Sequence, residues 1–182
     1  MRFFLFTLIS FLIAADDNAP SNRTRDREVD IHHIKIDVTV DIESSSVYGH
    51  VVHTLSPLSS ELQSFELDAE DMTIRRVRTG GKDIGFVHSG DKLHITMDRN
   101  ISWDDTVQVR VDYTALPRIG TYFIKPDDVY PGKPWQAWTQ GEEDDNHHWV
   151  PLYDYPNDRA TFETILTVDQ RFKAISNGEL IS

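Results

Sequence analysis

The sequence predicts an all-β domain, an antiparallel β-sandwich or curved sheet. Three observations carry that expectation. Apolar residues alternate with polar ones: Ile34, Ile36, Val38, Val40 and Ile42 are separated by Lys35, Asp37, Thr39 and Asp41. A period of two sends successive side chains to opposite faces, so such a segment is a strand with one buried face. Turn-forming clusters interrupt segments of this kind at short intervals. Between Val29 and Ala115 no segment keeps apolar residues at helical spacing for more than about two turns.

The elements follow in order. Residues 34–42 are the first strand, and the serines of 43–46 give a polar turn. Residues 48–55 return, and Pro57 with its neighbouring serines ends them. Residues 64–68 are a short strand with Phe65 and Leu67 inward. Residues 72–78 form the next, broken by Gly80-Gly81. Residues 84–87, 92–97 and 106–113 continue the series, with turn chemistry at Ser89-Gly-Asp91 and at Arg99-Asn100. Residues 122–134 are rich in Pro and Gly and read as a loop with aromatic anchors. Residues 161–168 are a further strand, and residues 172–178 lead into a turn. A stop so soon after strand-like Leu180-Ile181 suggests a truncated chain.

A chain of 182 residues holds one domain, or one and part of another. The formal net charge of -12 argues against nucleic acid or an anionic membrane as partner, because both require a basic footprint. There is no cysteine, which excludes disulfides, thiolate nucleophiles and cysteine-ligated metal within these residues.

Residues 1–15 combine Arg2, an apolar run too short to span a bilayer, and the small pair Ala14-Ala15. They read as a secretory signal peptide, with export to a periplasm or the extracellular space and no membrane insertion after cleavage. Residues 16–27 are a polar linker, and residues 28–182 are the β domain. Asn22-Arg-Thr24 and Asn100-Ile-Ser102 match the N-glycosylation pattern.

The stretch from Trp138 to Phe162 mixes acids, amides, imidazoles, aromatics and prolines, which fits neither a helix face nor a strand face. It reads as a folded loop that presents polar groups. Glu142, Glu143, Asp144, Asp145, His147 and His148 have the chemistry to bind a metal, but their spacing matches no standard zinc or calcium site. A solvated acidic loop is the simpler reading, and no metal ligand is assigned. His32-His33, His50 and His53 are expected to be solvated or packed imidazoles. Trp135 and Trp138 are expected to anchor a core or loop, with stacking on a substrate as the alternative. H-E-x-x-H, G-x-S-x-G, G-x-G-x-x-G and the P-loop are all absent from the sequence.

The order Thr139-Gln-Gly-Glu142, then Trp149-Val-Pro151, Asp154, Pro156, Arg159-Ala160 and Phe162, then Ala174-Ile-Ser-Asn-Gly178, resembles a known pattern. It is that of the N-terminal domain of zinc aminopeptidases of the aminopeptidase N and leukotriene hydrolase family, which are gluzincin metallopeptidases. The resemblance covers roughly Val29 to Ser182. Leu152 and Tyr155 stand where many members have cysteine and glutamate, and neither position is catalytic.

The resemblance implies a saddle-shaped antiparallel β domain that lies against a catalytic domain absent from this chain. It implies that Gln140 lines the pocket for the first side chain of a peptide with a free N-terminus. It implies that Glu142 holds the α-ammonium, and that Gly141 lets the backbone approach the ligand. The implied cofactor is Zn2+ in the full-length parent, with ligands beyond this chain. No catalytic residue falls within the chain, and the fragment alone is expected to be inactive. The other reading is a non-catalytic exported β-sandwich that serves as a binding or scaffold module.

Overall fold

The computed structural model describes residues 24–181. The signal-peptide segment 1–15 lies outside the described residues, as does most of the polar linker. Among the described residues no helix is long and apolar enough to cross a membrane.

Among the described residues eleven strands run in order: β1 (Val29–Asp41), β2 (Ser46–Pro57), β3 (Leu62–Asp68), β4 (Met72–Thr79), β5 (Lys82–Asp83), β6 (Gly85–Ser89), β7 (Lys92–Ile101), β8 (Val107–Ala115), β9 (Thr121–Ile124), β10 (Gln136–Thr139) and β11 (Thr161–Thr167). They form a six-stranded sheet β11-β1-β2-β8-β4-β5, a three-stranded sheet β3-β7-β6 and the pair β10-β9. The all-β class is as the sequence predicts, and all pairings but one are antiparallel. The exception is β11, which joins the edge of β1 in parallel, from His33↔Thr161 to Thr39↔Thr167.

The core lies between the two larger sheets. Val51 and Leu55 of β2, and Val109, Val111 and Tyr113 of β8, are sealed from solvent. They belong to one apolar cluster with Phe65 and Leu67 of β3 and with Leu93 and Ile95 of β7. Burying each of the larger aliphatic or aromatic side chains contributes about 1.5–3 kcal/mol. Phe65 and Leu67 point inward, as their alternation predicts.

Strand β1 departs from strict alternation. Val29 and Ile31 are buried, and so are Ile36 and Val38, although the two pairs differ in parity. A register shift between Ile31 and His33 accounts for this. One extra residue in a strand restores its apolar set to the core face. His32 and His33, beside the bulge, reach different neighbours: His32 Nε2 meets Ser56 Oγ at 2.9 Å, and His33 Nδ1 meets Thr161 Oγ1 at 2.8 Å.

Two expectations are corrected. Arg99-Asn100 do not end a strand, since β7 runs on to Ile101. Their turn chemistry surfaces as an irregularity, where the pairing steps from Ser64↔Thr96 to Leu62↔Ile101. Residues 122–134 are not all loop, because Tyr122 and Phe123 lie in β9 and pair with β10. The end of the polar linker is also tied down. Arg25 Nη1 donates to Asp68 Oδ2 at 2.5 Å, and Arg27 pairs with Asp158.

His53 of β2 is wholly buried and its Nε2–H donates to the carbonyl of Pro151 at 2.9 Å. Burial pushes its pKa down to about 4, against a smaller opposing pull from that carbonyl. An unfolded imidazole titrates near 6.5. As pH falls through this window the unfolded chain takes up a proton that the folded chain refuses, so stability falls. Linkage puts the loss at about 3 kcal/mol by pH about 4, with no further contribution below it. Urea unfolding at several pH values is expected to show this slope in the wild type and to lose it in His53→Gln. Equal slopes in the two proteins would show that His53 is not its source.

Candidate functional site

The stretch that follows β10 is built as a braced turn. The β9–β10 pairing sets Trp138 opposite Tyr122, and their rings stack with centroids 4.5 Å apart. Gln140 leaves the hairpin with its N–H donating to the carbonyl of Gly120 at 2.9 Å. The carbonyl of Gly141 then accepts from Asp145 N–H at 3.2 Å and from Asn146 Nδ2 at 3.3 Å. These bonds fold residues 141–145 back on themselves and leave Glu142 at the outside of the turn.

Two glycines are demanded by close approach. A Cβ on Gly120, at φ +74°, would lie 2.0 Å from the Asp145 carbonyl oxygen. A Cβ on Gly141 would lie 2.1 Å from Asn146 Oδ1. The space beside Gly141 is therefore filled by the domain's own Asn146 side chain, and internal packing is one reason for glycine here. This packing calls for glycine here whether or not a ligand approaches the backbone.

Next comes a single 3₁₀ turn, Asn146–His148. Asp154 clamps it. One oxygen, Asp154 Oδ2, accepts from His147 N–H at 2.9 Å and from His147 Nδ1–H at 3.0 Å. Asp154 N–H in turn donates to Asp68 Oδ2 at 2.9 Å. Leu152 exchanges both backbone hydrogen bonds with Asp68, at 2.7 and 3.0 Å. Asp68 is nearly sealed from solvent. Burial opposes its charge, but hydrogen bonds from Arg25, Lys92 and Asp154 N–H outweigh it and hold the carboxyl below its ordinary range. Pro151 and Asp154 thus frame the loop. His53 holds Pro151 from below, and Asp68 holds Asp154 from the side.

The two residues assigned to substrate, Gln140 and Glu142, are both exposed. Among the described residues neither side chain has a hydrogen-bond or ion-pair partner. Glu143 and Asp144 beside them are exposed as well. The turn therefore presents three adjacent acids to solvent, a surface that attracts a cation. Within this domain Glu142 is not a buried carboxylate. Trp135 and Trp138 are partly exposed, and Trp138 is fixed by Tyr122.

The structure adds partners that the sequence did not suggest. His148 is buried and its Nδ1–H donates to Asp71 Oδ2 at 2.9 Å. Arg118 bridges Asp71 and Glu70, at 2.7 and 3.0 Å. Asp158 accepts from Ile31 N–H at 3.2 Å beside its pair with Arg27. These contacts span large sequence separations, and no local spacing signals them.

Comparison with known proteins agrees with this architecture. The chain is 25% identical over 173 residues to leukotriene A-4 hydrolase of Xenopus laevis, covering 88% of this chain and 28% of that protein. It is 30% identical over 122 residues to the probable aminopeptidase 1 of Saccharolobus solfataricus, covering 66% of this chain and 14% of that protein. The M1 zinc metallopeptidase of Deinococcus radiodurans superposes with a TM-score of 0.66 at 21% identity, over 80% of this chain and 33% of that one. A mutant of that enzyme bound to a Tyr-Ser-Ala substrate gives 0.64 at 22% identity, over 78% of this chain and 33% of that one. The chain spans about a third or less of the length of each of these relatives. The model of the Peptidase M1 N-terminal domain matches residues 30–182, and the chain belongs to that family.

Proposed function

We propose that this domain is the substrate-recognition part of a secreted zinc aminopeptidase, which removes N-terminal residues from peptides. The observation that carries the proposal is the pair Gln140 and Glu142. Among the described residues they have no side-chain partner, and they stand at the outside of a turn that Gly120, Asn146 and Asp154 hold in place. Such bracing orders a polar pair before a ligand arrives, which lowers the ordering cost of binding.

An exopeptidase must tell a charged amine from an internal amide. A carboxylate does so by a charge-assisted hydrogen bond to the ammonium. Glu142 takes that role, and Gln140 lines the pocket of the first side chain. Glu143 and Asp144 add an attractive field around them. The rest of the polypeptide would cover the turn and desolvate Glu142.

This chain's residues do not fit the catalytic zinc of such an enzyme. The sequence has no H-E-x-x-H, the motif that supplies two ligands and the general base of such a zinc. When bound by the rest of the polypeptide, that zinc would polarise the scissile carbonyl and activate water. The 182-residue chain alone is therefore expected not to hydrolyse peptides. Residues 1–15 support export of the protein to the periplasm or the extracellular space.

The test uses the whole protein and a peptide offered with a free or an acetylated N-terminus. Release of the first residue is expected only from the free form, because acetylation removes the ammonium that Glu142 binds. Equal release from both would remove the basis for this role. Release from neither would favour a binding or scaffold module.

A further inference from the structure

A second site lies behind the turn, where the sequence assigned no metal. Glu70, between β3 and β4, comes together with His147 and His148 of the 3₁₀ turn, and their ligand atoms all lie within 4.8 Å of one another. His147 Nε2 is 3.7 Å from Glu70 Oε2, and His148 Nε2 is 3.8 Å from the same oxygen. We infer that Glu70, His147 and His148 form a binding site for a zinc-class divalent cation.

The hydrogen bonds around the cluster prepare it for that ligation. Each imidazole meets a carboxylate at Nδ1: His147 meets Asp154 at 3.0 Å and His148 meets Asp71 at 2.9 Å. A carboxylate only accepts, so Nδ1 carries a proton in both rings, and in the neutral imidazole Nε2 keeps the lone pair that a metal would take. This carboxylate–histidine arrangement is the one that orients and strengthens histidine ligands of zinc. The rings lie with centroids 4.5 Å apart and tilted by 34°, and both Nε2 atoms approach the same Glu70 oxygen. Arg118 occupies Glu70 Oε1 and leaves Oε2 to the histidines.

The distances suit a small ion. Tetrahedral zinc with bonds of about 2.0–2.1 Å separates neighbouring ligand atoms by roughly 3.3 Å. The two edges to Glu70 exceed that by a few tenths of an ångström, which rotation of the half-exposed Glu70 closes. Two imidazoles and one carboxylate leave a fourth position, and Glu70, with 35% of its side chain exposed, opens it to water. Three carboxylates, of Glu70, Asp71 and Asp154, surround the site against the single cation of Arg118. The local charge therefore favours a divalent guest. The bound ion would staple the turn that carries Gln140 and Glu142 to the β3–β4 connection.

The test titrates the untagged 182-residue chain with Zn2+ by calorimetry and with Co2+ by visible absorption. The expected result is one ion per chain, an intense tetrahedral cobalt spectrum, and a melting temperature raised by several degrees at saturating zinc. His147→Gln and Glu70→Gln, which alter partly exposed groups, are expected to weaken binding at least tenfold and abolish the cobalt bands. Asp71→Asn, which alters the partner of His148 and one of the two carboxylates that Arg118 bridges, is expected to weaken it about 10–100-fold. Circular dichroism verifies that each variant keeps its β spectrum. Absence of a bound ion in the wild type, or binding unchanged in His147→Gln and Glu70→Gln, overturns the inference. It does not depend on the aminopeptidase reading, since the site is read by metal binding and not by turnover.

Discussion

Replacing Glu142 by alanine is expected to lower kcat/KM of the whole protein about 10²-fold for peptides with a free N-terminus. Removing one partner of a desolvated, hydrogen-bonded charge pair costs 2–5 kcal/mol or more. A 10²-fold loss corresponds to about 2.7 kcal/mol, at the lower end of that range. The lower end is apt because Glu143 and Asp144 remain to attract the ammonium. The ammonium is held before and during the reaction, so most of the loss is expected in KM. Glu142→Gln keeps a hydrogen-bond acceptor without the charge and is expected to fall between the two. Stability is the control. Glu142 is exposed, and among the described residues it has no partner, so the unfolding free energy is expected to stay within about 0.5 kcal/mol. Steady-state kinetics with paired urea unfolding would separate the outcomes. Unchanged kinetics, or a loss of stability in place of activity, would refute the role.

The scaffold was legible where one face of a strand is buried. Strands β2, β3 and β8 follow their alternation because a one-residue slip would turn every apolar side chain to solvent. Legibility failed where a single residue or a distant partner decides. The bulge beside His33 reverses parity within β1, and period counting cannot locate it. The edge position of β11 was hidden for a related reason. Phe162 and Ile165 are both substantially exposed, so burial does not dictate which edge the strand joins. The β9–β10 pairing was masked by Pro126, Pro131 and Pro134 in its connection, which lower strand propensity without preventing the flanking strands from pairing.

The site divides in the same way. Gln140 and Glu142 were legible only through their resemblance to a family motif, since composition and periodicity say nothing of them. The framing role of Asp154 became visible once its bonds to His147 and Asp68 were in view. Glu70 and Asp71 were not legible at all. Asp71 lies 77 residues from the histidine it contacts, and only the fold brings the β3–β4 connection beneath the 3₁₀ turn.

Gly120→Ala is expected to destabilise the domain by about 2–5 kcal/mol. Two costs combine. At φ +74° a non-glycine residue sits in the left-handed region, which costs roughly 1–2 kcal/mol. The added methyl would also stand 2.0 Å from the Asp145 carbonyl oxygen and 3.0 Å from its carbon. Those atoms are backbone, so no side-chain rotation relieves the clash, and forced shifts of this kind cost about 1–3 kcal/mol. The shift also strains the bond from Gln140 N–H to the Gly120 carbonyl, so the turn that carries Glu142 moves with it. Gly141→Ala meets a different obstacle, the Asn146 side-chain amide at 2.1 to 2.3 Å. That amide can swing away at the cost of its hydrogen bonds. Gly141→Ala is therefore expected to lose less stability than Gly120→Ala while still displacing Glu142. Gly132→Ala is the control, because nothing lies within 4 Å of its Cβ position. Urea unfolding of the three variants is expected to rank them Gly120→Ala, Gly141→Ala, Gly132→Ala, with the last near wild type. If Gly120→Ala matched Gly132→Ala, Asp145 would be free to retreat, and the bracing assigned to this turn would not exist.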